Sequence, residues 1–220
     1  MSYGLRVRSY AQYCAVARAL DVIGDRWNLL IVRELLLRGA CRYTDLLNGL
    51  PGIATNLLAD RLRELEQAGI VARYEAPPPI AAALFSLTAR GEQLKDVLIE
   101  LGRWGTELMA EPIGDDAFHS HWLAFPAELY LEDQTPDRPP IAIELRIGGD
   151  TTTLETVDGG VHTRAGAAED PDLILTGNPQ AILGLLTGRL DVATAQARGL
   201  EHQGSTTVLR RLQPGKRPPG

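Results

Sequence analysis

The 220-residue chain has two cysteines, Cys14 and Cys41, too few for a disulfide scaffold and without the spacing of a metal site. No run of about 18 apolar residues occurs, so no transmembrane helix is expected. The opening MSYGLRVRSYAQYC lacks the apolar stretch of a secretory signal. A cytoplasmic protein is the default expectation. Catalytic sets are missing as well. The glycine clusters spell neither a dinucleotide-binding nor a phosphate-loop pattern, and no Ser-His-Asp or Cys-His arrangement stands out. His119 and His121 are two residues apart, a spacing that points them away from each other on a helix and makes no metal pair. Neither cofactor nor metal nor enzymatic activity is expected.

What remains is ordinary in quantity and uneven in placement. A hydrophobic fraction of 45% suffices for a real core. Residues 1–110 hold 13 Lys and Arg against 12 Asp and Glu, a net of +1, whereas residues 111–220 hold 9 against 16, a net of −7. Halves that differ this much suggest different tasks. The acidic half repels a phosphate backbone and the near-neutral half need not.

The first half is organised around IATNLLADRLRELEQAGIV, from Ile53 to Val71. Leu58, Leu62 and Leu65 fall at i, i+4 and i+7, one face of a helix, while Thr55, Asn56, Ala59, Asp60 and Arg63 take the other. Pro51-Gly52 precede it as a turn, and Gly69 follows where a C-cap belongs. Before it, residues 10–23 read as a helix closed by Gly24. Asp25 sits where an N-cap belongs for a second helix over Trp27 to Leu37, and TDLLNGL forms a short one. After it, Val71 to Ala76 alternate as a strand, Pro77-Pro78-Pro79 break it, and Ala83 to Leu87 can return. Thr88 caps a long helix from Ala89 to Met109. Helix, helix, short helix, turn, helix, strand, tip, strand, long helix is a winged helix-turn-helix order, which places an exposed helix face in a DNA major groove.

The segments ALDVIGDRWNLLIVRELL, YTDLLNGLPGIATNLLADRLRELEQAGIVAR and FSLTARGEQL, with LGRWG at the end, resemble the HxlR branch of the MarR-like transcription regulators over about residues 12–109. The resemblance implies a homodimer built from the N-terminal helix and the long helix after the wing, bound to a pseudo-palindromic operator in double-stranded DNA. Family recognition helices often carry Lys or Gln where this one has Thr55, Asn56, Ala59 and Asp60, and the wing tip APPPIAA lacks Lys and Arg. DNA contact is therefore expected from Arg42, Arg61, Arg63 and Arg73 with short polar side chains. Arg to guanine and Asn to adenine are the favoured base-edge pairings. Asn56 and Arg63 are thus the direct-readout candidates, with Thr44 and Thr55 on phosphates. The alternative for Arg61 and Arg63 is a surface ion pair with Glu64, Glu66 or Glu34.

Glu111 to Asp116 is polar and turn-rich, a domain boundary. Beyond it, Phe118 to Leu131 reads as an apolar helix interrupted near Pro126. Ile141 to Ile147, Thr151 to Val157, Val161 to Arg164 and Asp172 to Thr176 read as strands. Asn178-Pro179 opens a helix, Leu190 to Arg198 is a second, Leu200 to Gln203 a strand, and Ser205 starts a last helix to about Leu212. The phrases DGGVHTRAG, PDLILTGNPQAILGLLTGRLD and ARGLEHQGSTTVLRRL resemble the sterol-carrier-protein-like fold over about residues 117–213, with Ser205 where such domains often have Asp. That fold encloses an apolar tunnel. The resemblance implies a small hydrophobic ligand lined by Trp122, Phe125, Leu129, Leu145, Leu175, Leu183 and Leu186. A solid core made of the same side chains is the alternative.

The expected fold class is thus two domains: a mainly α winged helix-turn-helix over residues 1–112, and an α+β sterol-carrier-protein-like domain over 117–213, followed by a disordered tail at 214–220. The expected function is a DNA-binding transcription regulator controlled by a small hydrophobic ligand. The rival is a carrier of hydrophobic ligands whose winged helix only dimerises. Cys14 lies in the dimer helix, and some HxlR-type regulators sense electrophiles or oxidants with a cysteine near this place. Here Ala15 follows it, where thiol sensors of the group often have Pro, and a small core residue is the other reading. Cys41, beside Arg42, has the more positive setting.

Overall fold

The computed structural model describes residues 9–77, 82–105, 108–109 and 116–214, with the side chains at 129–130 and 213–214 left aside. Three expectations therefore lie wholly or partly outside it: the wing tip at 78–81, the boundary at 111–115 and the tail at 215–220. The chain divides into two units, Met1–Gly105 and Thr106–Gly220.

In the first unit the order is α1 (Ala15–Ile23), α2 (Asn28–Arg38), β1 (Cys41–Arg42), α3 (Tyr43–Gly49), α4 (Thr55–Gln67), β2 (Val71–Glu75), β3 (Ala83–Leu87), α5 (Ala89–Glu92) and α6 (Leu94–Gly105). The apolar spacing read in α4 is the spacing buried: Leu58, Leu62 and Leu65 are all at most 2% exposed and pack in a core with Ile31, Leu35, Leu46, Ile70 and Phe85. Gly69 ends α4 with φ +70°, and the N–H groups of Ile70 and Gly69 return to the carbonyls of Leu65 and Glu66, a Schellman closure. The chain thus leaves the helix in a fixed direction, straight into β2. The wing strands pair antiparallel from Val71 opposite Leu87 to Glu75 opposite Ala83. Thr88 ties the wing to the end of α4, its hydroxyl donating to the Gly69 carbonyl at 2.6 Å and accepting from the Gly91 N–H.

Four details of this unit differ from expectation. The first helix begins at Ala15, not residue 10, because Ala11 takes φ +52° and Asp21 holds the Ser9 hydroxyl and Tyr10 N–H in a separate arm. Trp27, not Asp25, precedes α2, and the Asp25 carboxylate is taken by Arg61. The two-residue strand β1 pairs with β3, giving the order β1-β3-β2; two residues are too few for an alternation to be read. The long helix is two, parted at Gln93, with α6 described as far as Gly105; residues 106–107, within the expected helix, lie outside the described residues. Fully buried Glu34 joins α2 to α3. Arg33 and Arg38 pair with it at 2.9 and 3.0 Å, and its carboxylate lies where a side chain on Gly49 would have to go, a Cβ there falling 2.2 Å from it. A buried charge is tolerable only when paired in this way.

The second unit holds a 3-10 turn (Ser120–Leu123), α7 (Ala124–Tyr130), β4 (Leu131–Asp133), β5 (Ala142–Ile147), β6 (Asp150–Val157), β7 (Gly160–Ala165), β8 (Leu173–Thr176), α8 (Pro179–Leu186), α9 (Val192–Ala197), β9 (Glu201–Gly204), a second 3-10 turn (Thr206–Arg210) and β10 (Leu212–Pro214). Five strands form a mixed sheet in the order β7-β6-β5-β8-β9, parallel only between β5 and β8. Its period-two pattern sends Ile143, Leu145, Ile147, Leu154, Leu173 and Leu175 into one core with Leu123, Ala127, Ala181, Ile182 and Leu186 from the helices. The opposite face is polar, with Glu144 on Arg146 at 2.6 Å and Glu155 on Arg164 at 2.7 Å.

Here too some expectations are corrected. Pro126 does not interrupt a helix; it lies in the first turn of α7, where its missing N–H has no helical partner to lose. The last helix is a 3-10 turn. It gives way to β10, which pairs with β4, so Pro214 is placed opposite Leu131 rather than in a tail. Asn178 and Pro179 open α8 as the sequence indicates, the Asn178 carboxamide oxygen accepting from the Ala181 N–H at 2.8 Å.

Candidate nucleic-acid interface

The helix-turn-helix pair is α3 and α4, and their relative placement is fixed by both apolar and polar contacts. Leu46 and Leu50 are buried with Leu58 and Leu62, and the Tyr43 hydroxyl donates to the Thr55 carbonyl at 2.5 Å. That bond joins the first residue of each helix. Sequence reasoning passed over Tyr43; its position at the start of the short helix was visible, its reach across the turn was not.

With Leu58, Leu62 and Leu65 inward, the outward face of α4 carries Asn56, Asp60, Arg63 and Gln67 at i, i+4, i+7 and i+11, all exposed. Gln67 was not among the candidates, though the same periodicity includes it. Thr55 is exposed at the first turn and Ala59 is half-buried at the margin. Arg63 pairs with Asp60 at 2.9 Å, both side chains about half exposed at 53% and 52%. A pair this open is worth at most about 1 kcal/mol and yields readily to a better partner.

Arg61 behaves differently. It stands three residues from Leu58 and four from Leu65, on the buried flank, and its side chain is 17% exposed. Its guanidinium is held by Asp25 and by Glu64, the latter at 2.9 Å. The ion-pair alternative describes Arg61 in this structure: it clamps the loop before α2 onto α4. Arg42 is exposed at the N-cap of α3, its backbone N–H donating to Asp45 at 2.9 Å. Thr44, the second residue of α3, is exposed. Arg73 on the wing is exposed, 3.4 Å from Glu75 and over the Phe85 ring. Arg42, Thr44, Asn56, Arg63 and Arg73 thus lie at the surface of the first unit, and Arg61 is withdrawn into its structure.

Of the expected ligand lining, Leu145, Leu175 and Leu186 belong to the buried core of the second unit and Leu183 packs against it. Leu145 and Leu175 are fully buried and face one another across the parallel β5–β8 pair. Trp122 and Phe125 are half-buried, and the Leu129 side chain lies outside the description. His119 and His121 do not diverge. His119 is extended at the entry to a 3-10 turn, and the two rings lie 5.4 Å apart, with Trp122 edge-on to His119 at 4.9 Å. The described residues contain no cluster of three or more His, Cys, Asp or Glu able to hold a metal ion.

The thiols are sharply different. Cys14 is exposed at the N-cap of α1, which removes the core-residue reading, and hydrogen bonding from the backbone of Ala17 and Val16 draws its pKa below the ordinary value. Cys41 is buried in β1. Burial pushes its pKa up to about 11, against the smaller opposing pull of Arg38. Its nearby arginines do not make it the more reactive thiol.

No helix among the described residues is long and apolar enough to cross a membrane. Comparison with known proteins concerns the first half. Residues 22–112 match the family described as HxlR-like helix-turn-helix. The chain is 36% identical over 98 residues to the HTH-type transcriptional regulator sll1512 of Synechocystis, covering 44% of this chain and 72% of that protein. It is 37% identical over 90 residues to YvaP of Bacillus subtilis, covering 41% and 82%, and 35% identical over 89 residues to YodB of the same organism, covering 40% and 79%. All three are called HTH-type transcriptional regulators. With most of each such relative matched, and with the two helices and wing in the order the match requires, the chain belongs to the HxlR-like helix-turn-helix family of transcriptional regulators.

Proposed function

We propose that the protein is a homodimer that binds a pseudo-palindromic operator in double-stranded DNA through α4, and that a small hydrophobic ligand held by residues 117–213 controls this binding. The carrying observation is the outward face of α4, where Asn56 and Arg63, one above the other two turns apart, are open to solvent on a helix anchored by three buried leucines. Asn56 and Arg63 read base edges, Thr44, Thr55 and Arg42 hold phosphates, and Arg73 contacts the backbone from the wing. Residues 1–112 are the DNA-binding and dimerisation part, and the protein works in the cytoplasm. Exposed Val16 and Leu20 on α1 and Val97, Leu101 and Trp104 on α6 support the dimer.

The second unit is assigned a sterol-carrier-protein-like fold with Trp122, Phe125, Leu129, Leu145, Leu175, Leu183 and Leu186 around the ligand. Support comes from its mixed five-stranded sheet with helices packed on one apolar face. Ligand binding favours one spacing of the two recognition helices, and the coupling is reciprocal. A gel shift on the protein's own promoter region tests the DNA reading, since a carrier that only dimerises gives no sequence-dependent shift. Titration of operator with and without an apolar fluorescent probe tests the coupling, expected at about 1–3 kcal/mol, or roughly 5–150-fold. Leu183→Trp, from the half-buried side of α8, is expected to mimic or block the probe. An unchanged response to the probe when residues 117–220 are removed overturns the control.

A further inference from the structure

We infer that Asp60 is a specificity-determining residue: it holds Arg63 for guanine and itself accepts from cytosine N4 of the same base pair. The inference rests on the reading of α4 as the recognition helix. Among Asn56, Asp60, Arg63 and Gln67, which make up the outward face, Asp60 is the one acid. Duplex DNA carries a negative charge about every 1.7 Å, so a carboxylate on this face weakens binding wherever it meets phosphate. It is favourable only against a donor. In the major groove the donors are the exocyclic amines of cytosine and adenine, and thymine O4 and guanine O6 are acceptors that a carboxylate repels.

The pairing on the helix decides between the two amines. Asp60 Oδ1 accepts from Arg63 Nη1 at 2.9 Å, and Oδ2 has no partner among the described residues. Arg63 has further N–H groups for the O6 and N7 acceptors of guanine while Asp60 retains one. The pair biases a long, half-exposed side chain toward Asp60 before DNA arrives, by at most about 1 kcal/mol for so open a pair. The partner of that guanine offers its cytosine N4 amine beside it in the groove, a donor that the second oxygen of Asp60 can accept from. A G·C pair satisfies both side chains at once; an A·T pair in either orientation removes the guanine acceptors from Arg63, and with thymine below Asp60 it adds repulsion. Asn56, one turn before Asp60, then meets the neighbouring base pair, where adenine is its favoured partner.

The test is selection from a random-sequence duplex library at fixed salt with the full-length protein, Asp60→Asn and Arg63→Ala. Both positions are about half exposed, so the substitutions leave the fold in place. The wild-type pool should carry one fixed G·C pair in each half-site, and replacing its cytosine by thymine should weaken binding by roughly 5–150-fold, as for a typical mismatch. In the Asp60→Asn pool that pair should become degenerate, and affinity for an unrelated duplex should rise with loss of the carboxylate. If Asp60→Asn selects the wild-type sequence while Arg63→Ala does not, α4 reads DNA and the role of Asp60 is wrong. If neither these variants nor Asn56→Ala changes the selected sequence, α4 reads no bases and both readings fall.

Discussion

In the first unit, Tyr13, Val16 and Leu20 on or beside α1 and Val97, Leu101 and Trp104 on α6 lie open to solvent, and Trp104 is 70% exposed. In the second, Leu108 and Met109 near its start are also exposed, and from residue 116 onward Val157 is the one large apolar side chain in that condition among the described residues. Both units have a buried core, so the difference is not one of folding. The helices of the first are apolar on two sides, and a single copy can cover only one of them. The second is finished within itself: apolar residues of sheet and helices fill one layer, and ion pairs close its margins. One unit is shaped to be completed by another surface and the other to enclose its own.

The sharpest way to break that contrast is to open the closed unit. Arg211 joins β10 to β4 through Asp133, with Nη2 to Oδ2 at 2.7 Å and Nε to Oδ1 at 3.2 Å, and it also donates to the Pro139 carbonyl at 2.8 Å. The Asp133 side chain is only 2% exposed. Arg211→Ala leaves it buried without its cation, and the expected loss is about 3–5 kcal/mol in the unfolding transition of this unit, measured by urea titration. The pH dependence has a definite sign. Arg211 holds the Asp133 pKa below the ordinary carboxylate value. Its stabilisation is complete above the unfolded value of about 3.9 and is lost as pH falls from there through the lowered folded value. The variant should show a weaker acid limb, since only the hydrogen bonds from Thr135 then favour the carboxylate. A variant within 1 kcal/mol of wild type at neutral pH, by the same measure, means the margin is held by something else.

The next effect tests the open unit. Leu101→Glu and Trp104→Ala should convert a dimer to monomer in light scattering at micromolar concentration. Burying a large apolar side chain contributes about 1.5–3 kcal/mol, and in a symmetric interface each substitution counts twice. Thermal stability of the monomer should change little, because both side chains are exposed in the single chain. An unchanged mass at equal concentration would falsify the α6 surface as the dimer contact.

How far this contrast was legible in the sequence depends on which residues set it. The recognition helix was legible because period and burial agree: the leucines at 58, 62 and 65 are the ones inside. The strands of the large sheet were legible mainly from the glycine and proline turns that bound them; β8 also alternates in burial, whereas β9 is exposed throughout. What escaped reading was short or made by distant partners. β1 has two residues, and β4 and β10 three each, and they exist by pairing with β3 and with one another. The assignment of Arg61 to an ion pair with Asp25 joins positions 36 residues apart, which no local spacing reveals. In the second unit the apolar residues were found, but whether they wrap a ligand is a matter of volume between side chains, and periodicity carries no information on volume.

Within the open unit, a smaller effect separates the side chains offered to DNA from those that hold the helix. Asn56→Ala and Arg63→Ala should each weaken operator binding by about 1–3 kcal/mol and relax base preference. Arg61→Ala should instead lower unfolding stability, since it leaves Glu64 and Asp25 without their cation, and change base preference little. Operator titrations at one salt concentration, beside thermal melts, give both readouts. The reverse ranking, with Arg61 dominating base preference, would return it to the interface.

The smallest effect concerns the two thiols, and it applies the same contrast to one pair of identical side chains. Cys14 stands at the exposed start of α1 and Cys41 inside β1, its thiol 3.5 Å from the Gly39 carbonyl. The nucleophile in alkylation is the thiolate. At Cys14 the N–H groups that begin α1 favour that form, so its pKa is drawn down. At Cys41 burial disfavours the charge, and Asp45 and Glu34 add to the effect, so a pKa of about 11 keeps it protonated at neutral pH. N-ethylmaleimide on the native protein should therefore label Cys14 first, read by peptide mass spectrometry. The labelling rate at Cys14 should level off below the pH expected of an ordinary thiol, about 8.5. Cys41 should react only on unfolding. If α1 is covered in the dimer, the rate at Cys14 should rise in Leu101→Glu, which ties this measurement to the oligomeric state. Equal labelling of both cysteines in the folded protein would show that β1 opens readily. The division between an inner layer that is closed and an outer layer that is offered would then fail inside the first unit itself.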